Sequence, residues 1–124
     1  MNIDNTIICL FYNSVVSSVL TYAISVWFKG CSDSLVKDIN KFNKKVCKLV
    51  RPEFHSQILD NEACYERKTL AMVDKIMKDS DHPFHHYFKW LNHDSRLNML
   101  YCRTDRFKNT FIPSSIKLFN DARV

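Results

Sequence analysis

Lys37, Lys41, Lys44 and Lys48, followed by Arg51, recur every three or four residues. That is the spacing of one side of an α-helix, where all five fall within about 80°. Much later, Arg103, Arg106 and Lys108 stand within six positions. Cations in such arrangements neutralise phosphates and release counterions without needing a fixed motif. Tyr101, Phe107 and Trp90 are of the type that stacks on unpaired bases. The same residues have a plainer reading, in which the lysines form a solvated face and Phe107 and Trp90 fill a core. Trp90 suits a core the better, because it stands among Phe84, Phe88 and Leu91.

Other chemistry finds less to stand on. His82, His85, His86 and His93, with Cys64 and Cys102, invite a zinc site, but no second ligand pair has a standard spacing. Capping or surface histidines explain them better. No Gly-x-Ser-x-Gly elbow is present, and a single glycine rules out a Gly-rich phosphate loop. Two-metal phosphoryl transfer calls for paired carboxylates, yet there is no Asp-Asp pair, and Asp79 and Asp81 flank a serine in a turn. The expectation is therefore no catalytic residue, no metal and no cofactor.

The elements that must carry these residues are helices. The 124 residues are 46% apolar, with nine Phe, five Tyr and two Trp, enough for a modest core and too aromatic for disorder. One glycine and three prolines suit long helices joined by few turns. The net charge of +5 is uneven. Residues 29–51 hold seven basic and two acidic groups, residues 52–94 five and eight, and residues 95–124 six and two. Two basic zones flank an acidic middle, which suggests a polyanionic partner such as RNA or DNA. Five cysteines in odd number, without a Cys-x-x-Cys pair, read as reduced thiols of a cytoplasmic or nuclear protein.

A first helix is expected from Asp4 or Asn5 to Phe28. The segment is uncharged, which raises a membrane span, but its serines, Asn13 and Thr21 gather on one half. Ile8, Phe11, Val15, Val19, Tyr22 and Val26 gather on the other, as on a surface helix packed on a core. No basic residue precedes the apolar run, so a secretory signal is not expected. Gly30 stands where a helix-ending residue of positive φ is wanted, and Ser32 or Asp33 offers the next N-cap. A second helix, Ser34 to Val50, is stopped by Pro52. It carries the apolar stripe Leu35, Ile39, Phe42, Val46 and Leu49 opposite the lysines, and the short connection makes the two helices an antiparallel hairpin.

A third helix is expected over Gln57–Lys78, with Ile58, Tyr65, Met72, Val73 and Ile76 on one face. A turn at 79–83 leads to a short fourth helix, Phe84 to Leu91, opened by Pro83. Residues 92–110 read as loop or extended chain, and a last short helix begins at Pro113 with Ile116, Leu118 and Phe119. The fold class is all-α, a helix hairpin plus a third long helix, a short fourth helix and a mixed extended and helical tail. It divides into a helical domain at 1–91 and a basic tail at 92–124. No internal repeat is found.

The wording of several segments adds a resemblance. Residues 101–120, Tyr-Cys-Arg-Thr-Asp-Arg-Phe-Lys-Asn-Thr-Phe-Ile-Pro-Ser-Ser-Ile-Lys-Leu-Phe-Asn, resemble the C-terminal end of the reverse transcriptase of LINE-type (non-LTR) retrotransposons. There a Cys-Arg-Thr-x-Arg-x-Lys-Asn-Ser/Thr-Phe-Ile-Pro run lies close to the stop codon. Leu10-Phe11-Tyr12, Ser18 to Tyr22 and Val26-Trp27-Phe28 look like that family's Phe-Tyr-x-Ser … Ser-Val-Leu-Thr-Tyr … Trp-Phe-Gly helix, although Lys29 departs and Gly30 follows one place late. The lysine-rich helix, Tyr65-Glu66-Arg67 and the Asp79 to Phe84 turn match in order. The resemblance implies the thumb and the region after the palm, helical, in contact with template–primer and lacking the catalytic Asp-Asp motif. Asn92 to Leu97 stands where the family often has a Ser-Gly-Arg-Arg-like turn, which weakens any grip by that loop.

Residues 7–50 also resemble the segment labelled the N-terminal domain of AlkB homologue 8, a tRNA-modifying protein. None of the five histidines has an acidic residue two places later, so the iron triad of a dioxygenase is missing. A methyltransferase needs a glycine-containing cofactor loop.

Overall fold

The computed structural model describes residues 4–58, 60–92 and 95–123, except the side chain of Gln57. The chain is all-α, 72% helical, with no strand among the described residues. The helical segments among the described residues include α1 (Asn5–Phe11), a π-helical turn (Tyr12–Ser17), α2 (Ser18–Thr21), α3 (Ile24–Trp27), α4 (Asp33–Leu49) and α5 (Asn61–Lys78). Toward the C-terminus come α6 (Asp105–Lys108) and α7 (Phe111–Ala122). Packing divides the chain into two compact units, residues 1–24 with 31–65, and residues 25–30 with 66–124. The boundary expected after residue 91 falls inside the second unit. No single helix among the described residues is long and apolar enough to cross a membrane.

The first helix is not the unbroken rod expected. Asp4 caps it by accepting from the Thr6 amide. The hydroxyls of Ser14, Ser18 and Thr21 then donate to the carbonyls of Leu10, Ser14 and Ser17, at 2.7, 2.7 and 2.8 Å. Such back-bonds compete for helix carbonyls and bend the rod. The helix widens to a π turn at Tyr12–Ser17 and stops after Thr21. The positive φ expected at Gly30 is instead found at Ala23, at 47°, while Gly30 closes a 3-10 turn with φ in the ordinary range.

Helix α4 forms where expected, capped by Ser32, whose hydroxyl accepts from the Leu35 amide at 3.4 Å. His55 closes its other end, because its Nε2–H donates to the carbonyls of Cys47 (2.7 Å) and Val50 (3.2 Å). Carbonyl oxygens only accept, which fixes the tautomer. Tyr12 donates from its hydroxyl to Asn43 Oδ1 at 2.9 Å, and both side chains are buried. Cys9, Tyr12, Val46, Val50 and Ile58 form the core of the first unit, with Ile8, Val16, Cys47 and Phe54 against it. Asp4 and Asn5 share a cavity with Lys48–Arg51, whereas Tyr12 meets Asn43, so the first helix and α4 run antiparallel.

The buried faces agree only in part with those read from the sequence, at Val46, Ile39 and Ile8. Leu35, Phe42 and Leu49 of the expected stripe are exposed, and α4 buries Asn43 and Val46, with Val50 just past its end, beside half-buried Val36 and Ile39. The helix is turned by about 70° from its most apolar side, at 100° per residue. On the first helix Phe11, Val15, Val19 and Tyr22 are exposed while Cys9, Tyr12 and Ser17 are buried. A buried tyrosine–asparagine bond must be kept once its atoms leave water, and keeping it sets both rotations.

Helix α5 starts at Asn61 rather than Gln57, because Pro52–Gln57 forms a 3-10 turn and Asp60 accepts from the Glu62 amide at 3.0 Å. Tyr65, Val73 and Ile76 are buried as expected, and Met72 is exposed. The second unit centres on Val73, Ile76, Phe88, Leu97 and Ile116. The expected fourth helix shrinks to one 3-10 turn, His85–Tyr87. Beyond it the chain extends, Trp90 bridges antiparallel to Leu97, and the amides of Leu91 and Asn98 donate to the carbonyls of Arg96 and Lys89. Those hairpin bonds replace the helical ones of residues 88–91. Part of the expected loop at 92–110 is the four-residue α6, whose cap Thr104 accepts from the Phe107 amide. The last helix starts at Phe111, two residues before Pro113, which sits in the first turn where its missing N–H costs nothing.

Candidate nucleic-acid interface

Lys37, Lys41, Lys44 and Lys48 project from α4, and Arg51 follows it in extended backbone. All five are exposed. The 17-residue helix holds them in one row because its opposite side is fixed by Asn43, Val46 and Val50 in the core. Lys48 and Arg51 also line a cavity of about 690 Å³ with Asp4, Asn5, Glu53 and Phe54. Two cations there face two carboxylates, so this end of the row is close to neutral, while Lys37, Lys41 and Lys44 stand outside the cavity.

The tail cations are also exposed, but they are not one cluster. Arg103 precedes α6, and Arg106 and Lys108 lie two positions apart on it. Two positions along a helix are about 200° apart, nearly opposite sides. Lys108 instead joins Lys29 and Lys117 around a cavity of about 420 Å³, with Glu66 and Asp121 on its wall. Lys29 and Lys117 escape sequence reasoning, since they stand 79 and 9 residues from Lys108 and share no pattern with it. The α4 row belongs to the first unit and the tail cations to the second.

Among the aromatic candidates Tyr101 is 89% exposed. Trp90 is half exposed rather than a core residue. Its ring packs edge-on against Phe119 at 5.9 Å, and the Arg123 guanidinium lies 5.3 Å from its centroid. Phe107 lines a small apolar cavity of about 250 Å³ with Phe84, Tyr87, Leu100, Phe111 and Ile112. Tyr101 and Trp90 thus present ring surface to solvent, and so does Phe107 at the edge of its cavity.

The residues weighed for metal or acid–base chemistry have structural occupations. His85 Nδ1 donates to the Ile76 carbonyl at 2.9 Å, and His82 Nδ1 accepts from the Phe84 amide at 3.1 Å. Asp79 accepts from the Asp81 amide at 3.1 Å, which closes the turn after α5. Cys64 is buried, and His93 lies outside the described residues. No group of three His, Cys, Asp or Glu side chains is placed to hold a metal among the described residues.

Compared with protein-family models, with curated proteins and with solved structures, the chain matches none. The arrangement itself offers a row of exposed cations on a rigid helix, a second set on the C-terminal segment and exposed aromatic rings. Exposed cations and aromatic rings of these kinds are the groups that can contact phosphates and stack on bases without reading sequence.

Proposed function

We propose that this chain is a non-catalytic fragment of a retrotransposon reverse transcriptase, an RNA-directed DNA polymerase. In this reading the helix hairpin of the first unit is thumb-like, and the residues after 91 are a basic tail within the second unit. It retains sequence-independent affinity for RNA or DNA of template–primer type. The observation that carries the binding is the exposed row Lys37, Lys41, Lys44 and Lys48 on a helix whose other side is locked into a core. Arg51 continues that row, and Arg103, Arg106 and Lys108 are the contacts that the second unit contributes on its own. The wording of residues 101–120 and the ordered segments before it support the family.

Replacing Lys41, Lys44 and Lys48 together by Glu tests the row. Fluorescence anisotropy with a labelled RNA–DNA primer–template should show affinity falling at least tenfold, with unchanged helical circular dichroism. Unchanged binding by that variant would remove α4 from the interface.

A second reading, a helical protein-interaction module, is favoured by one observation. Leu35, Phe42 and Leu49 remain exposed on α4. That reading predicts a protein partner, and little effect of the lysine substitutions on its binding.

A further inference from the structure

The first unit leaves two apolar stripes in solvent. On α4 these are Leu35 (56% exposed), Phe42 (44%) and Leu49 (67%). They are seven residues apart, a step that drifts by only about 20° around a helix. On the first helix they are Phe11 (61%), Val15 (50%) and Val19 (71%). Both stripes lie on the same side of the helix pair. Tyr12 meets Asn43, and on each helix the exposed phenylalanine is the residue immediately before the contact. One residue is a turn of about 100°. In antiparallel helices the same turn away from the line of contact leads to the same side. The six residues expose on the order of 600 Å², at the upper end of the largest patch on an ordinary monomer and approaching the ~800 Å² that each partner buries in a standard interface.

We propose that a second copy of this chain covers this face, related by a two-fold axis that passes beside Phe42. The α4 stripe is complementary to itself. Turned end for end about Phe42, Leu35 meets Leu49 of the second copy, because each is seven residues from the axis. The first helix obeys the same axis. Tyr12 is level with Asn43, so Phe42 is level with about residue 13, and Phe11 and Val15 lie equally far to either side.

Charge agrees with this register. Asp38 and Lys45 are exposed on one flank of the stripe, and among the described residues neither has an ion-pair partner in its own chain. A two-fold axis sets that flank against itself. Asp38, four residues from the axis, then meets Lys45 of the second copy, three residues from it, and symmetry repeats the pair. The result is four antiparallel helices around one apolar seam. The lysine row is turned by about 130° from Phe42 and stays in solvent, so the assembly does not depend on nucleic-acid binding.

Sedimentation equilibrium of the full chain across the micromolar range tests the proposal. A reversible monomer–dimer equilibrium is expected. Asp38→Lys and Lys45→Asp, both surface changes, should each weaken it by about tenfold, since two attractive pairs become repulsive. An equimolar mixture of the two single variants, or one chain carrying both changes, should regain the wild-type association. A chain that stays monomeric throughout overturns the proposal, and so does a dimer indifferent to the charge swaps. Uptake by neutral phosphatidylcholine vesicles without dimer formation also overturns it and assigns the face to a lipid surface.

Discussion

Tyr12 sets the rotation of two helices with one hydrogen bond. Its hydroxyl reaches Asn43 across 31 residues of sequence, inside the core of the first unit. Tyr12→Phe keeps the ring and removes the donor that buried Asn43 Oδ1 accepts from. The expected loss is about 1–3 kcal/mol, read from urea unfolding. Ala23 carries the opposite kind of information. Its φ of 47° puts a Cβ in the left-handed region, where L-residues are strained by roughly 1–2 kcal/mol. Ala23→Gly should raise stability by about 0.5–1 kcal/mol after the extra chain entropy of glycine is offset. Single residues were unevenly legible. Ser32 is recognisable as a cap because capping is a local event. Tyr12 is not recognisable as a buried donor, because its acceptor is remote in sequence.

At the scale of elements, α4 was the most legible. Its cap, its length and its lysine row follow from spacing within one segment. Which apolar side it buries does not, because Leu35, Phe42 and Leu49 compete with the Asn43 side and a long-range bond decides. The region after α5 was the least legible. Phe84 to Leu91 has an apolar helix-like composition, yet only His85–Tyr87 coils. Trp90 and Lys89 are drawn to Leu97 and Asn98 instead, and Asn120 of α7 holds that bridge from behind. The Leu97 amide donates to Asn120 Oδ1 at 2.8 Å, and Asn120 Nδ2 donates to the Leu97 carbonyl at 3.0 Å. Asn120→Ala removes both bonds beside a fully buried Leu97. The variant should lose about 2 kcal/mol, and amide hydrogen exchange at Leu97 should quicken with it.

At the scale of the whole molecule, charge is what the proposed function uses. If the contact engages about four or five phosphates, affinity for a primer–template hybrid should fall roughly 150- to 500-fold between about 50 and 200 mM salt. It should show little preference for base sequence, which competition with unrelated hybrids measures. Micromolar binding that ignores salt would contradict the basic-surface reading. By itself the sequence determined the helical class, the α4 cap and the cationic row, because each depends on residues within a few turns of one another. Tertiary structure alone decided that the cations near 103–108 are divided, with Lys108 lining a cavity beside Lys29, Lys117, Glu66 and Asp121. It also decided that an apolar face of each paired helix stays outside. Both outcomes rest on contacts between residues far apart in the chain, where burial of a few polar groups outweighs local pattern.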